Sequence, residues 1–173
     1  MNPSKIILQT KRLTLRRIQQ SDVPPLLDLW TDPEVTEHLG GPRERAKLEP
    51  LFAQDVQDPF AEEYDLWPVE ERQTREVIGH CGLLEKEVDG ADEIEVIYIF
   101  KRLAWGKGYA TEIGKALIQY AFEDKKQTRV IALIEPENEA SAVVAEKIGM
   151  LCEKEVIRPG GEPRKVYVVE KHT

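Results

Sequence analysis

Gly106, Lys107 and Gly108 are the residues whose types and spacing most directly suggest chemistry. They follow a β-branched and aromatic segment, Ile94 to Phe100, and precede small and apolar residues with the spacing of one helical face. The first amides of a helix lack internal partners, and glycines let an anion approach them, so this corner can bind a phosphate. The same glycines also fit a simple turn between a strand and a helix.

Two common phosphate motifs do not match this corner. A Walker loop has four residues between its first glycine and a Gly-Lys-Ser/Thr, and no such run occurs in the sequence. A dinucleotide fingerprint has three glycines near the first strand of a repeated βαβ unit, whereas this corner lies past mid-chain and has two. These two classes of nucleotide-binding protein are therefore disfavoured.

Charged residues limit the partners that the chain can have. The net charge of -8 argues against a nucleic-acid surface. Between Asp55 and Glu95 there are 14 acidic residues and three basic ones. This segment is either a solvated face that keeps the protein soluble, or a groove that favours a cationic ligand.

Cysteine and histidine give little indication of metal or covalent chemistry. Cys81 and Cys152 stand in apolar contexts and are predicted to be buried, reduced thiols and not a disulfide, and neither has a plausible basic partner nearby in sequence. The three histidines are scattered without metal-ligand spacing, so we expect no metal.

The elements that must position these groups form a mixed pattern. A strand over Arg12 to Ile18 precedes helical segments up to about Val56, where Pro50 is expected to end, split or kink the last helix. Strands follow, and Pro68 either weakens one of them or places it at an edge. Then come the helix after the glycine corner, a parallel strand at Arg129 to Ile134, another helix and a final strand pair. We therefore predict one α+β domain over residues 1–173, with a mixed, mostly antiparallel sheet of about six or seven strands.

The chain also lacks the features of a membrane or secreted protein. No apolar run approaches the roughly 20 residues that span a bilayer. The N-terminus, MNPSKIILQTKR, has no secretory signal pattern, so we expect a cytoplasmic protein.

Several of these segments together resemble the GNAT acyltransferase superfamily over about residues 8 to 170. Its acyl-CoA loop, Gln/Arg-x-x-Gly-x-Gly/Ala, matches residues 103 to 108 except that Leu103 replaces the polar first residue. The wider combination resembles the ribosomal-protein N-terminal (Rim-type) acetyltransferase branch, although Met150 replaces the usual Phe. It comprises Thr10 to Arg16, Glu95 to Tyr98, Trp105 to Glu112, Asn138-x-x-Ser141 and Lys147 to Met150.

The resemblance implies acetyl-CoA as co-substrate, with its diphosphate on the amides of the corner and its pantetheine arm in a gap between two splayed parallel strands. The cofactor-binding residues it implies are Tyr98, Ile99, Phe100, Trp105, Gly106, Lys107, Gly108, Tyr109, Ala110, Thr111 and Asn138.

The resemblance also implies catalytic residues for direct attack of a primary amine on the thioester. Glu95 corresponds to a base that acts directly or through water, and Ser141 to a donor for the departing thiolate. Tyr98 and Tyr109 are alternative donors. Each assignment has a structural alternative: Glu95 as an exposed strand carboxylate, and Asn138 with Ser141 as a simple helix cap.

The acceptor remains open at this point. The segment from Asp32 to Phe60 and the loop from Pro159 to Pro163 are the least regular parts of the chain and are expected to form its site. A protein N-terminus, a polyamine, an aminoglycoside-like amine or an amino acid are all compatible, and a homodimer is left open. A catalytically silent CoA-binding module and an acidic interaction protein are the competing hypotheses.

Overall fold

The computed structural model describes residues 5–173, which form an eight-stranded sheet flanked by four α-helices. The strands are β1 (Ile6–Gln9), β2 (Leu13–Arg16), β3 (Leu66–Glu71), β4 (Val77–Val88), β5 (Ala91–Phe100), β6 (Arg129–Ile134), β7 (Leu151–Ile157) and β8 (Pro163–Glu170). The helices are α1 (Val23–Thr31), α2 (Arg45–Gln57), α3 (Tyr109–Glu123) and α4 (Glu139–Lys147). No helix in this part of the chain is long and apolar enough to cross a membrane.

The sheet has the order β1-β2-β3-β4-β5-β6-β8-β7, and its neighbours pair antiparallel except for β5 and β6. The predicted α+β class with a mostly antiparallel sheet is therefore confirmed. The predicted strand number was too low, because β1 lies in a segment whose short apolar run was not interpreted as a strand.

Two prolines are accommodated in ways that the sequence did not suggest. Pro68 lies in an interior strand, not at an edge; the β2 ladder stops at Val69, so Pro68 needs no hydrogen bond on that side. The α2 helix neither ends nor splits at Pro50. Ala46 is exposed, so water can reach the carbonyl that Pro50 leaves without a backbone donor.

Side chains alternate between the two faces of the sheet and fill separate cores. Val96 on β5 packs with α3 residues such as Ile113 and Leu117. Ile99, on the other face, packs with α1 and α2 residues such as Leu26. The two faces of β5 are thus covered by different helices, and α3 and α4 both begin beyond the carboxyl ends of the parallel strands.

The two cysteines differ in their surroundings. Cys81 is buried, as predicted, and burial raises the pKa of its thiol far above the usual range. Cys152 is exposed, so the prediction of a buried thiol was wrong there; it lies on the edge strand β7, most of whose residues are open to solvent. Both thiols are free.

Candidate active site

The glycine corner leads directly into α3. Gly106 and Gly108 have φ angles of 74° and 81°, a region that favours glycine, and Gly108 is the N-cap of α3. The amides from Gly108 to Thr111 have no acceptor within residues 5–173. A β-carbon at Gly106 would meet nothing within 4 Å, so the approach to the corner is open. Four amides and a helix dipole thus make this corner suitable for an anion.

A network that the sequence analysis did not assign holds the corner in place. Arg12 donates from its backbone amide and its Nε to the two oxygens of Glu112, at 2.9 and 2.7 Å. Its Nη1 donates to the Lys107 carbonyl at 2.8 Å, and Thr10 Oγ1 donates to Glu112 at 2.7 Å. Arg12 and Glu112 both stood in the motif segments, but only the fold joins these two distant segments.

Two aromatic residues of the corner have structural contacts. Trp105 donates from Nε1 to the Phe100 carbonyl at 2.8 Å and ties the loop to the end of β5. Tyr109 donates its hydroxyl to Glu71 at 2.7 Å, while its ring lies under the Arg12 guanidinium. The Tyr109 hydroxyl is therefore engaged by β3 and is a poor candidate for thiolate protonation.

A gap opens between β5 and β6 immediately after Glu95. Within residues 5–173, the parallel register joins the strands at a single pair, Glu95 opposite Ile131. The Lys101 amide donates to the Ile78 carbonyl on β4. Because the backbone groups of successive strand residues point alternately to the two neighbouring strands, those of Ile99 also point toward β4. The backbone groups of Tyr98 and Phe100 then face the gap, where the Phe100 carbonyl already accepts from Trp105 Nε1.

Glu95 lies at the closed end of this gap and is buried, with 7% of its surface exposed. It is therefore not an exposed strand carboxylate. Burial raises the pKa of Glu95, although Lys86 Nζ at 3.9 Å and a hydrogen bond from the Leu133 amide favour its charged form. A carboxyl group with a raised pKa, partly compensated by a cation, is suited to accept a proton.

Ser141, Tyr98 and Asn138 come together at the start of α4. Asn138 Oδ1 accepts the Ser141 amide at 3.1 Å and caps the helix. The Tyr98 hydroxyl donates to the Ser141 carbonyl at 3.1 Å, and Ser141 Oγ donates to the Tyr98 hydroxyl at 3.3 Å. Burial raises the pKa of Tyr98 to about 12, so its proton is retained. By strand alternation, Tyr98 and Glu95 lie on opposite faces of β5.

The segment after α1 links the ends of the two parted strands. Arg102, just after β5, contacts Asp32 at 2.9 Å and Glu34 at 3.1 Å. His38 Nδ1 lies 3.6 Å from Glu135, just after β6. Part of the segment predicted to bind the acceptor therefore adjoins the mouth of the gap.

His80 has a structural place beneath this segment. Trp30 Nε1 donates to His80 Nδ1 at 3.0 Å, and the Phe52 ring packs edge-on against the imidazole. Burial lowers the pKa of His80 to about 4, which keeps it neutral. Within residues 5–173, no group of three or more His, Cys, Asp or Glu side chains is arranged to hold a metal.

The acidic stretch between Asp55 and Glu95 does not form one groove. Glu70 is buried against Arg16 at 3.1 Å, whereas Glu63 contacts Lys125 at 3.2 Å near the end of α3. Many of its members are thus distributed over separate ion pairs, which favours the structural interpretation of the stretch.

A family model described as "Acetyltransferase (GNAT) domain" matches residues 12–151. The chain therefore belongs to the GNAT acetyltransferase family. It is 33% identical over 165 residues to the uncharacterized protein YkkB of Bacillus subtilis (strain 168), with 95% of each chain covered.

Solved structures share the fold over nearly the whole chain. The crystal structure of an acetyltransferase from Agrobacterium tumefaciens str. C58 is 27% identical, with a TM-score of 0.79 and coverage of 95% of this chain and 94% of that one. The spermidine N-acetyltransferase of Vibrio cholerae, in complex with CoA and spermine, is 18% identical, with a TM-score of 0.75 and coverage of 93% and 96%. At that lower identity the likeness concerns the fold alone.

Proposed function

We propose that the protein is an acetyl-CoA-dependent N-acetyltransferase that moves an acetyl group to a primary amine by direct attack. The observation that carries the proposal is the juxtaposition of free amides from Gly108 to Thr111 with the gap beyond Glu95. A diphosphate carrier needs an electropositive corner, and its extended arm needs unpaired strand groups. Both occur at the same end of β5, and the CoA bound to the Vibrio cholerae neighbour is consistent with them.

In this proposal, the diphosphate of acetyl-CoA binds the amides of the corner, and Lys107 adds an exposed positive charge. The pantetheine arm pairs with the backbone groups of Tyr98 and with the Phe100 amide in the gap, and the Asn138 side-chain amide helps to orient it. Arg12 and Glu112 keep the corner in its binding geometry without touching the ligand.

Glu95 then removes the proton of the acceptor ammonium, directly or through a water molecule. The neutral amine attacks the thioester carbon, and the C–N bond forms as the carbonyl becomes a tetrahedral oxyanion, which main-chain amides of β5 stabilise. Collapse of this intermediate breaks the C–S bond. Ser141, with its hydrogen-bonded partner Tyr98, supplies a proton to the thiolate from the opposite face of β5. The positively charged nitrogen loses its second proton to water as the amide forms, and Ser141 regains a proton from solvent. Cys81 is unsuited to form an acyl-enzyme, because burial keeps its thiol protonated.

The test combines acetyl-CoA binding with release of free CoA thiol. We expect acetyl-CoA to raise the melting temperature, and a panel of amino acids, peptides, polyamines and aminoglycosides to contain at least one amine that causes thiol release. Stabilisation without release across the whole panel would favour a silent CoA-binding module. Absence of both would contradict the proposal and favour an interaction protein.

A further inference from the structure

Glu95 lies on the face of the sheet opposite α3, and three basic side chains influence its carboxyl. They are Lys86 from β4, Arg158 from the β7–β8 loop and Arg164 from β8, and all three act electrostatically on the Glu95 carboxyl. The nearest, Lys86, lies 3.9 Å from Glu95. The Glu95 carboxyl therefore lies in a locally positive field, in a protein whose net charge is -8.

The register of the sheet places Arg164, on β8, on the same face of the sheet as Glu95. Val166 pairs with Leu133, whose amide donates to Glu95, and Arg164 is two residues from Val166 on the same face. Since β6 ends at Ile134, Arg164 lies beyond the carboxyl end of that strand, where the gap is open. It is half-buried, and within residues 5–173 its side chain donates one hydrogen bond, to the Pro163 carbonyl at 2.7 Å.

Arg158 is the first residue of the β7–β8 loop, which leads to Arg164 at the start of β8. Its Nη1 donates to the Glu87 carbonyl at 2.9 Å, next to Lys86 on β4. The Arg158 amide donates to the Glu162 carbonyl at 2.8 Å, and this hydrogen bond closes the β7–β8 loop. The Glu162 carboxylate is turned toward Gly160.

Neither arginine has a carboxylate within 4 Å among the described residues, although the chain has 32 acidic residues. Two other carboxylates lie near this face and have basic neighbours of their own: Glu93 contacts Arg129 at 3.0 Å, and Glu135, just after β6, lies 3.6 Å from His38. Lys86 is sufficient to partner Glu95, so the two half-buried guanidinium groups remain available. Guanidinium groups bind carboxylates through two parallel hydrogen bonds, which a lysine does not reproduce.

We propose that Arg158 and Arg164 bind a carboxylate of the acceptor, so that the preferred substrates are amines that also carry a carboxylate, the class of amino acids. This assignment rests on the proposed acetyl transfer, because it takes Glu95 as the group that receives the amine proton. It differs from the acceptor that an acidic groove would favour, which is a polyamine.

The test compares α- and ω-amino acids with their own carboxamides, which keep the amine and lose the negative charge. We expect kcat/KM, measured by CoA thiol release, to be about tenfold or more higher for the best amino acid than for its amide. Arg164→Gln and Arg158→Gln should reduce this ratio toward one. Lys165→Gln, which removes a neighbouring cation on the opposite face of β8, should leave it unchanged. Equal rates for acid and amide in the wild type would overturn the assignment.

A binding measurement separates this assignment from the proposed chemistry. With CoA saturating, the amino acid should raise the melting temperature more than its amide does, and the difference should disappear in the arginine variants. If this difference is found without thiol release, carboxylate recognition holds and acetyl transfer fails. If acid and amide stabilise equally, or a diamine stabilises more, the assignment is wrong. Arg158→Gln serves as a second variant should Arg164→Gln unfold.

Discussion

The glycine corner and the proposed acceptor face around Glu95 are built differently. The corner consists of main-chain amides in one continuous segment, held by Arg12 and Glu112. The proposed acceptor face consists of side chains from β4, β5, β8, the β7–β8 loop and the segment after α1. A main-chain site can therefore be found from a short local pattern, whereas a side-chain site becomes visible only when distant segments are placed side by side.

Glu95→Gln tests the acceptor face and should have the largest effect. A glutamine keeps the shape and an acceptor for the Leu133 amide, but it does not accept a proton at neutral pH. We expect kcat/KM to fall about 10²-fold with acetyl-CoA binding unchanged. Glu85→Gln makes the same change at an exposed position on the opposite face of the neighbouring strand and should have no effect. Equal activity of the Glu95 variant and wild type would remove Glu95 from the mechanism.

Gly108→Val tests the corner in the same way. The side chain would crowd the amides, and the φ of 81° is unfavourable for valine, so acetyl-CoA affinity should fall about tenfold or more in a titration. Gly149→Val provides the control, because Gly149 has a φ of 96°, open space around it, and a place at the far end of α4. A similar loss of affinity in both variants would show that backbone strain, not the corner, was measured.

Ser141→Ala and Tyr98→Phe test the opposite side of the gap. Each should lower kcat about tenfold, since each removes a hydroxyl from the proposed thiolate donor pair. Because the two hydroxyls contact each other at 3.3 Å, the double variant should lose less than the product of the single effects. Strictly multiplicative losses would contradict the idea that the two hydroxyls act as one unit.

Lys107→Glu should have a smaller effect on the corner. Lys107 is exposed, so reversing its charge should raise the KM for acetyl-CoA about threefold, and added salt should reduce the difference. Lys115→Glu makes the same charge change at an exposed position further along α3 and should leave this KM unaltered. Salt-independent or equal effects in the two variants would argue against a charge contact with the diphosphate.

The smallest predicted effect concerns stability and pH. Burial raises the pKa of Glu95 above its ordinary value of 4.5, so the folded protein binds this proton more tightly than the unfolded chain. The resulting stabilisation is present below pH 4.5 and is lost as pH rises through the raised pKa. Glu95→Gln should therefore melt about 2 °C higher than wild type at pH 7, with a smaller difference near pH 4. A lower melting temperature at pH 7 would mean that the carboxylate stabilises the fold.

Much of the fold could be predicted because it follows from local periodicity. The β6 strand was predicted with its exact bounds, and α3 and α4 followed from helical spacing and from Asn138 as a cap. The position of Pro68 could not be predicted, since it depends on where the neighbouring β2 ladder stops. The exposure of Cys152 likewise depends on β7 being an edge strand, which is a property of strand order and not of local sequence.

In the candidate site, too, the local features could be predicted and the long-range contacts could not. The free amides of the corner lie where the Gly106 and Gly108 pattern predicts them. The contacts of Lys86 with Glu95 and of His38 with Glu135 left no local signal, because each joins segments that are far apart in the chain. The catalytic and cofactor-binding assignments themselves remain predictions that the variants above address.

The tie between Arg12 and Glu112 has a consequence for how the protein acquires its activity. These partners are 100 residues apart, so the anion corner is completed only after the polypeptide has been synthesised well beyond its midpoint and the first strands have docked. A nascent fragment that ends before α3 would lack Glu112 and the free helix amides, and so would have no cradle for the carrier. Acquisition of acetyl-CoA affinity during refolding should consequently be a late event, coincident with native tertiary structure and not with the first helical signal.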